Sequence, residues 1–196
     1  MSKKTLSTII VIAVIGIICF WMFGKYNAMV AEQENVETAW GQVENQYQRR
    51  MDLIPNLVAV VKGYATHEKE TLEGVIEARA KATQITVNAD DITEEQLQQF
   101  QAAQGELSQA LGRLMAVAEA YPDLKANENF KDLQTQLEGT ENRIAVARNT
   151  FNEQARVYNT LIRQFPNNIV ASIFGFKKKP YFEADAEAKH APKIEF

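Results

Sequence analysis

The stretch that decides the fold is residues 49–58, Arg-Arg-Met-Asp-Leu-Ile-Pro-Asn-Leu-Val. Arg49 and Arg50 close a polar, glutamine-containing run, and basic residues favour the C-terminal end of a helix. Asp52 then stands where an N-cap residue belongs. Pro55 falls in the first turn after it, where the missing N–H would have had no helical partner in any case. We therefore expect a sharp reversal from one helix to the next at this point.

A second interpretation of the same stretch is one long helix that kinks at Pro55. A proline inside a helix has no N–H to donate, and its ring crowds the carbonyl four residues earlier, which here is that of Met51. The local signals favour the reversal, but the unbroken helix stays open because of the helix lengths considered below.

Near the N-terminus, residues 5–23 form a run of nineteen residues without a charge. As a helix this run is about 29 Å long, close to the thickness of the bilayer's hydrocarbon core. Trp21 and Lys25 sit where interfacial anchors are found. A signal peptide would usually have a shorter apolar region and an Ala-x-Ala cleavage site, and a lipoprotein would carry small residues before Cys19. We expect residues 1–24 to be a short cytoplasmic stub and a retained single-pass anchor.

The charges beside this run favour one orientation. Lys3, Lys4 and the terminal amine lie on its short side, which predicts a cytoplasmic N-terminus and a bundle on the non-cytoplasmic side. Lys25 opposes this bias, so the preference rests on a small difference in charge.

Beyond the anchor, apolar residues recur at steps of three, four and seven, which is typical of amphipathic helices. Thr93 and Gln96 have the spacing of a capping box at the start of the third of them. The fold we expect is all-α: the transmembrane helix followed by an antiparallel, up-down four-helix bundle over residues 25–166. The expected bundle helices are 26–50, 52–85, from Thr93 to about 120, and 127–165.

The lengths of these helices strain an upright bundle. The first would rise about 38 Å from the membrane, whereas the second and fourth would be about 50 and 58 Å long. Either the bundle tilts at Gly24 and Lys25, or residues 26–85 are one kinked helix.

Two C-terminal segments follow Pro166. Residues 167–182 combine apolar and aromatic side chains with Lys177, Lys178 and Lys179. We interpret them as an amphipathic, basic segment at the membrane surface, with a strap docked over the end of the bundle as the alternative. Residues 183–196 have no apolar period and are predicted to be disordered.

Composition and motifs give no support for an enzyme. The net charge is -4, without the basic stripe that nucleic-acid binding requires. The histidines are His67 and His190, too few for most metal sites, and no phosphate-binding loop or nucleophile elbow is present. We expect no catalytic residues, no metal and no cofactor.

One set of polar residues runs along the edge of the apolar stripe of the fourth helix. It consists of Glu141, Arg148, Asn152 and Asn159. Asparagine is a poor helix former, and here two of them lie seven residues apart, each directly after an aromatic residue. These side chains could form interhelical hydrogen bonds that fix the register of the bundle, or they could form a partner-binding edge. The sequence favours the first interpretation and leaves the second open.

Four blocks of this sequence resemble the signature of the LemA family, and the resemblance extends over about residues 26–176. The blocks are residues 49–58, Val-Lys-Gly-Tyr-Ala-Thr-His-Glu at 61–68, Tyr-Pro-Asp-Leu-Lys-Ala at 121–126 and Glu-Asn-Arg-Ile-Ala-Val-Ala-Arg-Asn-Thr-Phe-Asn at 141–152. The polar edge of the fourth helix is part of that signature. The resemblance implies a bacterial, membrane-anchored, all-helical protein, and it does not imply an active site. We expect the protein to lie in the inner membrane.

From these observations we expect a non-enzymatic scaffold or adaptor that binds other proteins at the membrane surface. The resemblance also suggests association with a membrane zinc protease of the HtpX type. The alternative is a membrane-shaping or self-assembling protein, which would form homo-oligomers and deform lipid without a separate protein partner.

Overall fold

The computed structural model describes residues 3–183, of which the side chain of Lys3 is not described, and this part of the chain is helical without strands. The predicted disordered tail, apart from Glu183, lies outside the described residues, as does His190. The helices are α1 (Lys3–Tyr64), α2 (Lys69–Gln84), α3 (Glu94–Glu119), α4 (Pro122–Ala126), α5 (Glu128–Arg163) and α6 (Asn167–Phe174).

Helix α1 is unbroken over 62 residues, so the predicted reversal at 49–58 is wrong and the single-helix alternative is correct. Asp52 does not cap a helix; it accepts a hydrogen bond from the Gln48 Nε2 one turn earlier, at 2.7 Å. Pro55 lies inside the helix and leaves the Met51 carbonyl without its usual donor. Arg79 of α2 supplies a replacement, because its Nε donates to that oxygen at 3.0 Å. The neighbouring helix thus satisfies the backbone group that the proline frees.

The chain turns after Tyr64 instead. The predicted helix 52–85 is therefore divided between α1 and α2, with a turn at residues 65–68. In this turn Glu68 accepts a hydrogen bond from the Tyr121 hydroxyl at 3.1 Å, and the Asn127 side chain donates to the Tyr64 hydroxyl at 3.0 Å. Both connections, from α1 to α2 and from α3 to α5, consequently lie at the same end of the molecule, which we call the distal end.

Side-chain contacts give the direction of the helices. Along α1, Trp40 packs against Phe151 and Arg50 pairs with Glu141, so α1 and α5 run antiparallel. Helix α3 runs parallel to α1, because Phe100 contacts Trp40 while Gln104 and Ser108, further along α3, contact Arg50. In α2 and α3, the Lys81–Glu106 pair and the Glu68–Tyr121 bond give antiparallel directions. The long helices thus alternate up and down, as the sequence predicts.

The short α2 divides the core into two clusters. With 16 residues, α2 is about 24 Å long and covers only the distal half of the bundle. In the other half, residues 85–92 and 176–183 take its place, and Val87, Ile92 and Phe182 are buried there. The membrane-proximal half is therefore a three-helix core closed by extended segments.

Most of the predicted apolar stripes and end signals agree with the structure. The capping box at Thr93 and Gln96 is present, with bonds of 3.2 and 3.1 Å. Every residue predicted on the α3 stripe is buried. Tyr64, Ile76 and Phe165 also follow the apolar period of the expected helices, which predicts them to be in the core, but they are exposed. Phe165 lies beyond the end of α5, where the period that placed it inside no longer applies.

The unbroken α1 removes the conflict between helix lengths. From Tyr26 to Tyr64 it rises about 58 Å, close to the roughly 54 Å of α5. The apolar side chains of residues 5–23 are exposed beyond the bundle except for Met22, which packs against the core, and this end of α1 is long and apolar enough to cross a membrane. The apolar run therefore continues into the first helix of the four-helix bundle without a break.

Candidate functional site

The two asparagines of the predicted polar edge hold an extended C-terminal segment, residues 176–183, which we call the strap. Asn152 donates from Nδ2 to the Phe182 carbonyl at 3.0 Å, and its Oδ1 accepts from the Phe182 N–H at 2.8 Å. Asn159 makes the same pair of bonds with the backbone of Lys179, at 2.8 and 2.9 Å. Each side-chain amide thus acts as one rung of a β-ladder for the strap.

The spacing of these residues has a geometric reason. Seven residues along a helix rise about 10.5 Å, and three residues of extended chain span about 10 Å. Asn152 and Asn159 are seven apart on α5, and the strap residues that they bind are three apart and run in the opposite direction. The expected interhelical bonds are therefore replaced, at these two positions, by bonds to an extended segment.

Phe182 is the main apolar anchor of the strap. Its ring is stacked on Trp40 with centroids 5.9 Å apart and meets Phe151 edge-on at 5.4 Å. The Arg148 guanidinium covers the outer side of the ring at 5.0 Å, and its Nη2 donates to the Glu183 carbonyl at 2.8 Å. Arg148, the third residue of the predicted edge, thus closes the strap over the aromatic cluster.

Lys179 anchors the strap to the loop before α3. It is 6% exposed, and its ammonium donates to the backbone carbonyls of Ala89 and Asp90. Burial lowers the pKa of this lysine, and Glu37, Asp91 and Asp90 act in the opposite direction. Lys177 lies near Asp91, at 3.9 Å. The interpretation of residues 167–182 as one basic surface segment is therefore wrong for the strap, where the docked alternative holds.

The fourth residue of the predicted edge, Glu141, does make an interhelical contact. It accepts from Nη1 of Arg50 on α1 at 2.9 Å. Arg50 is 2% exposed and also donates to Ser108 at 2.9 Å and to the backbone and side-chain oxygens of Gln104 on α3. One buried cation thus connects three helices at the boundary between the two core clusters, and it fixes their register.

The contacts that Arg50 makes indicate that its network has a structural role. Its guanidinium lies 5.0 Å from the ring centre of Tyr47, and a cavity of about 350 Å³ borders it. Two of its buried nitrogens, Arg50 Nε and Gln104 Nε2, have no hydrogen-bond partner among the described residues. Sequence reasoning placed Arg50 at a helix end and missed its burial, although it lies three residues after Tyr47 on the apolar stripe.

The remaining residues singled out in the sequence lie along the apolar end of α1 and in the distal turn. Trp21 and Lys25 flank the end of the apolar run, and Cys19 is exposed along it. His67 is exposed in the distal turn. Among the described residues, no three His, Cys, Asp or Glu side chains come together as a metal site would require.

A sequence model of the LemA family matches residues 39–196 of this chain. The chain belongs to the LemA family. A LemA protein from Metamycoplasma hominis is 25% identical over 173 residues, which are 88% of this chain and 75% of that protein. The matched range contains the strap, its asparagines and the buried arginine.

The LemA chain is also similar to magnetosome proteins. MamQ 2 from Paramagnetospirillum magneticum is 28% identical over 202 residues, covering 93% of this chain and 74% of the relative. MamQ from Magnetospirillum gryphiswaldense is 28% identical over 201 residues, with the same coverage. Both relatives are named as magnetosome proteins.

Proposed function

We propose that this LemA-family chain is a non-enzymatic scaffold that binds other proteins at the bacterial inner membrane, with its bundle on the non-cytoplasmic side. The relatives named above are not known enzymes, and the expected orientation follows from Lys3 and Lys4. The observation that carries the proposal is an open, nearly uncharged face beside α1 and α5, held at a fixed height by the unbroken α1.

This face, the lateral groove, runs between the two longest helices, on a side that none of the other described elements covers. Its lining carries a single charged side chain, Arg143. At its centre Val146 is 64% exposed, and the Gln46 Oε1 is buried with no partner in the described part of the chain. The groove is lined by Asn35, Thr38, Ala39, Gln42, Asn45, Gln46, Arg143, Val146, Ala147, Thr150 and Gln154.

These properties suit a protein partner. Charged residues are depleted at the cores of protein interfaces, whereas the rest of a soluble surface is rich in them. A helix laid against the groove would bury Val146 and pair with the amide and hydroxyl side chains along both walls.

The test is a photo-crosslinking amino acid placed at Val146 in native membranes, with the same probe at Ile76 as the control. Ile76 is similarly exposed, at 54%, but lies on α2 in the distal half. We expect a defined adduct at position 146 that is absent at position 76, with mass spectrometry identifying the partner. A membrane zinc protease is the first candidate. Equal labelling at the two positions, or no adduct at 146, contradicts the proposed surface.

A second candidate function is self-assembly, as expected of a membrane-shaping protein. The same groove favours it, because a face with one charge can meet its own copy without strong repulsion. In the same experiment, an adduct of twice the chain mass that contains only this sequence supports self-assembly over the adaptor role. Lipid deformation by the purified protein would then be the property to measure.

A further inference from the structure

Helix α6 presents an apolar face to the outside of the bundle. Ile169 and Ile173, one turn apart, are 50% and 61% exposed, and Phe165, one turn earlier in the sequence, is 81% exposed. Two large apolar side chains on the outer side of a short helix, with a third exposed just before it, are unusual for a surface in water. Phe174 at the end of the helix is exposed as well.

The opposite face fixes α6 on the bundle. Val170 and Ala171 are buried in the membrane-proximal core, and Asn167 donates to the Leu161 carbonyl at 3.2 Å. Gly175 ends the helix with a φ of 78°, a left-handed conformation that suits glycine and turns the chain into the strap. The orientation of α6, and hence its outward apolar face, is set by packing on both sides.

Helix α6 lies at the level where α1 leaves the apolar run. The Tyr26 ring, three residues after Phe23, contacts the rings of Phe174 and Phe176 at 4.9 and 5.6 Å. The pairing of Trp40 with Phe151 and of Arg50 with Glu141 gives the same level, because it places the end of α5 opposite about residue 28 of α1.

We infer that the face of α6 formed by Ile169 and Ile173 lies in the headgroup region of the bilayer that α1 crosses. An amphipathic helix at that depth buries its apolar face at the boundary of headgroups and acyl chains. The occupant is lipid because the anchor holds this face against the bilayer surface, whichever protein the lateral groove binds. This inference is independent of the proposed adaptor role.

Apolar contact, more than charge, carries the interaction. Of the three lysines after α6, Lys179 is buried in the bundle and Lys177 lies beside Asp91. Asp90 is next to them in the same loop. Lys178 is exposed, so a modest attraction to anionic lipid remains beside the apolar contact. The apolar contact should persist when salt is raised.

The test uses the full chain with Cys19→Ser and one introduced cysteine, Ile173→Cys, labelled with an environment-sensitive fluorophore. The protein is reconstituted in vesicles of phosphatidylcholine and phosphatidylglycerol that carry nitroxide near the headgroup. Ile76→Cys is the matched control, since it is equally apolar and exposed but lies in the distal half of the bundle. Circular dichroism checks that each labelled chain is folded.

We expect nitroxide lipid to quench the probe at 173 at least twofold more than the probe at 76, in low and in high salt. Ile169→Cys should behave like Ile173→Cys, because the two residues lie one turn apart on the same face of α6. Equal, weak quenching at 173 and 76 overturns the inference. Quenching at 173 that vanishes in high salt also overturns it, because the contact would then be electrostatic. Failure here leaves the crosslinking result at Val146 unaffected, so the two proposals can be judged separately.

Discussion

At the residue scale, Asn152 and Asn159 each satisfy one N–H and one C=O of the strap, and an alanine at either position leaves both groups without a protein partner. The loss of such bonds costs about 1–3 kcal/mol. We expect Asn152→Ala and Asn159→Ala each to lower the melting temperature by several degrees. The control is Asn149→Ala on the exposed side of α5, which should change stability by less than about 0.5 kcal/mol. If the asparagine variants and the control melt together, the strap does not contribute to stability.

Glu141 provides a second prediction, because it is the acidic partner of a buried cation. Glu141→Gln keeps the shape and an acceptor but removes the charge opposite Arg50. Since Arg50 retains Gln104 and Ser108, we expect a loss of about 1–3 kcal/mol, below that of an isolated buried charge. Glu138→Gln, in a surface pair with Gln134, is the matched control. Chemical unfolding of the two variants should give clearly different midpoints; equal midpoints would mean that Arg50 does not need this carboxylate.

Tyr158 gives the bundle a defined response to alkaline pH. Burial, with a smaller effect from Glu37, raises the pKa of its hydroxyl from 10.0 to about 12. The folded chain therefore holds this proton more tightly than the unfolded chain, and the contribution to stability is complete below pH 10 and lost as the pH rises towards 12. The full effect is roughly 2.7 kcal/mol. Urea unfolding at pH 9 and 11 should show a smaller alkaline loss for Tyr158→Phe than for the unmodified chain, and an identical loss would contradict this assignment.

At the scale of elements, the continuity of α1 across Pro55 depends on a side chain that replaces a missing backbone hydrogen-bond donor. Pro55 cannot donate to the Met51 carbonyl, and Arg79 does so from α2. Arg79→Met should therefore cost about 1–3 kcal/mol with Pro55 present. With Pro55→Ala the backbone N–H returns, and the same arginine substitution should cost much less. A double-mutant cycle measured by chemical unfolding gives the coupling; additive effects would show that the arginine acts elsewhere.

The apolar periodicity of α1 indicates a continuous helix, although the local signals at residues 49–58 favour a reversal. Buried residues continue at steps of three and four across the decisive stretch, from Tyr47 through Arg50, Ile54 and Leu57 to Val61. Asp52 and Pro55 resemble a helix start, but a cap is a local preference and the apolar stripe reflects the whole core. Met51, buried one turn after Tyr47, also carries the apolar stripe to Ile54, so the period continues without Arg50. The burial of the arginine itself is what a single sequence gives little reason to expect.

The strap shows the opposite limit of sequence reasoning. The edge on α5 could be recognised because a helix has a period, and Arg148, Asn152 and Asn159 stand out beside the stripe. Its partner could not, since an extended segment of eight residues has no period that links it to α5. The short α2 is equally hard to foresee, yet the space beside it is what the strap and residues 85–92 fill. The bundle could be predicted from local patterns, whereas these contacts depend on the assembled fold.

At the scale of the whole molecule, the retained anchor and the orientation of the bundle can be tested together. We expect a full chain with Cys19→Ser and Thr66→Cys, an exposed position in the distal turn, to stay in the membrane fraction of spheroplasts. An impermeant thiol reagent should label it without lysis, because Lys3 and Lys4 favour a cytoplasmic N-terminus. Labelling only after lysis would place the bundle in the cytoplasm, and a shortened chain in the soluble fraction would mean that the anchor is removed.

The unbroken α1 also fixes the rotation of the bundle, about the helix axis, relative to the apolar span. A helix turns about 100° per residue, so residues eighteen apart point the same way, and Gln42 in the lateral groove shares the bearing of Gly24 and, nearly, of Ile17. A membrane protein that binds in the lateral groove would therefore face one particular side of the span inside the lipid. Two residues inserted after Gly24 would rotate the bundle by about 200° relative to the span while raising it only about 3 Å. Such an insertion would leave the bundle and the span intact, but a partner bound in the lateral groove would no longer face the same side of the span.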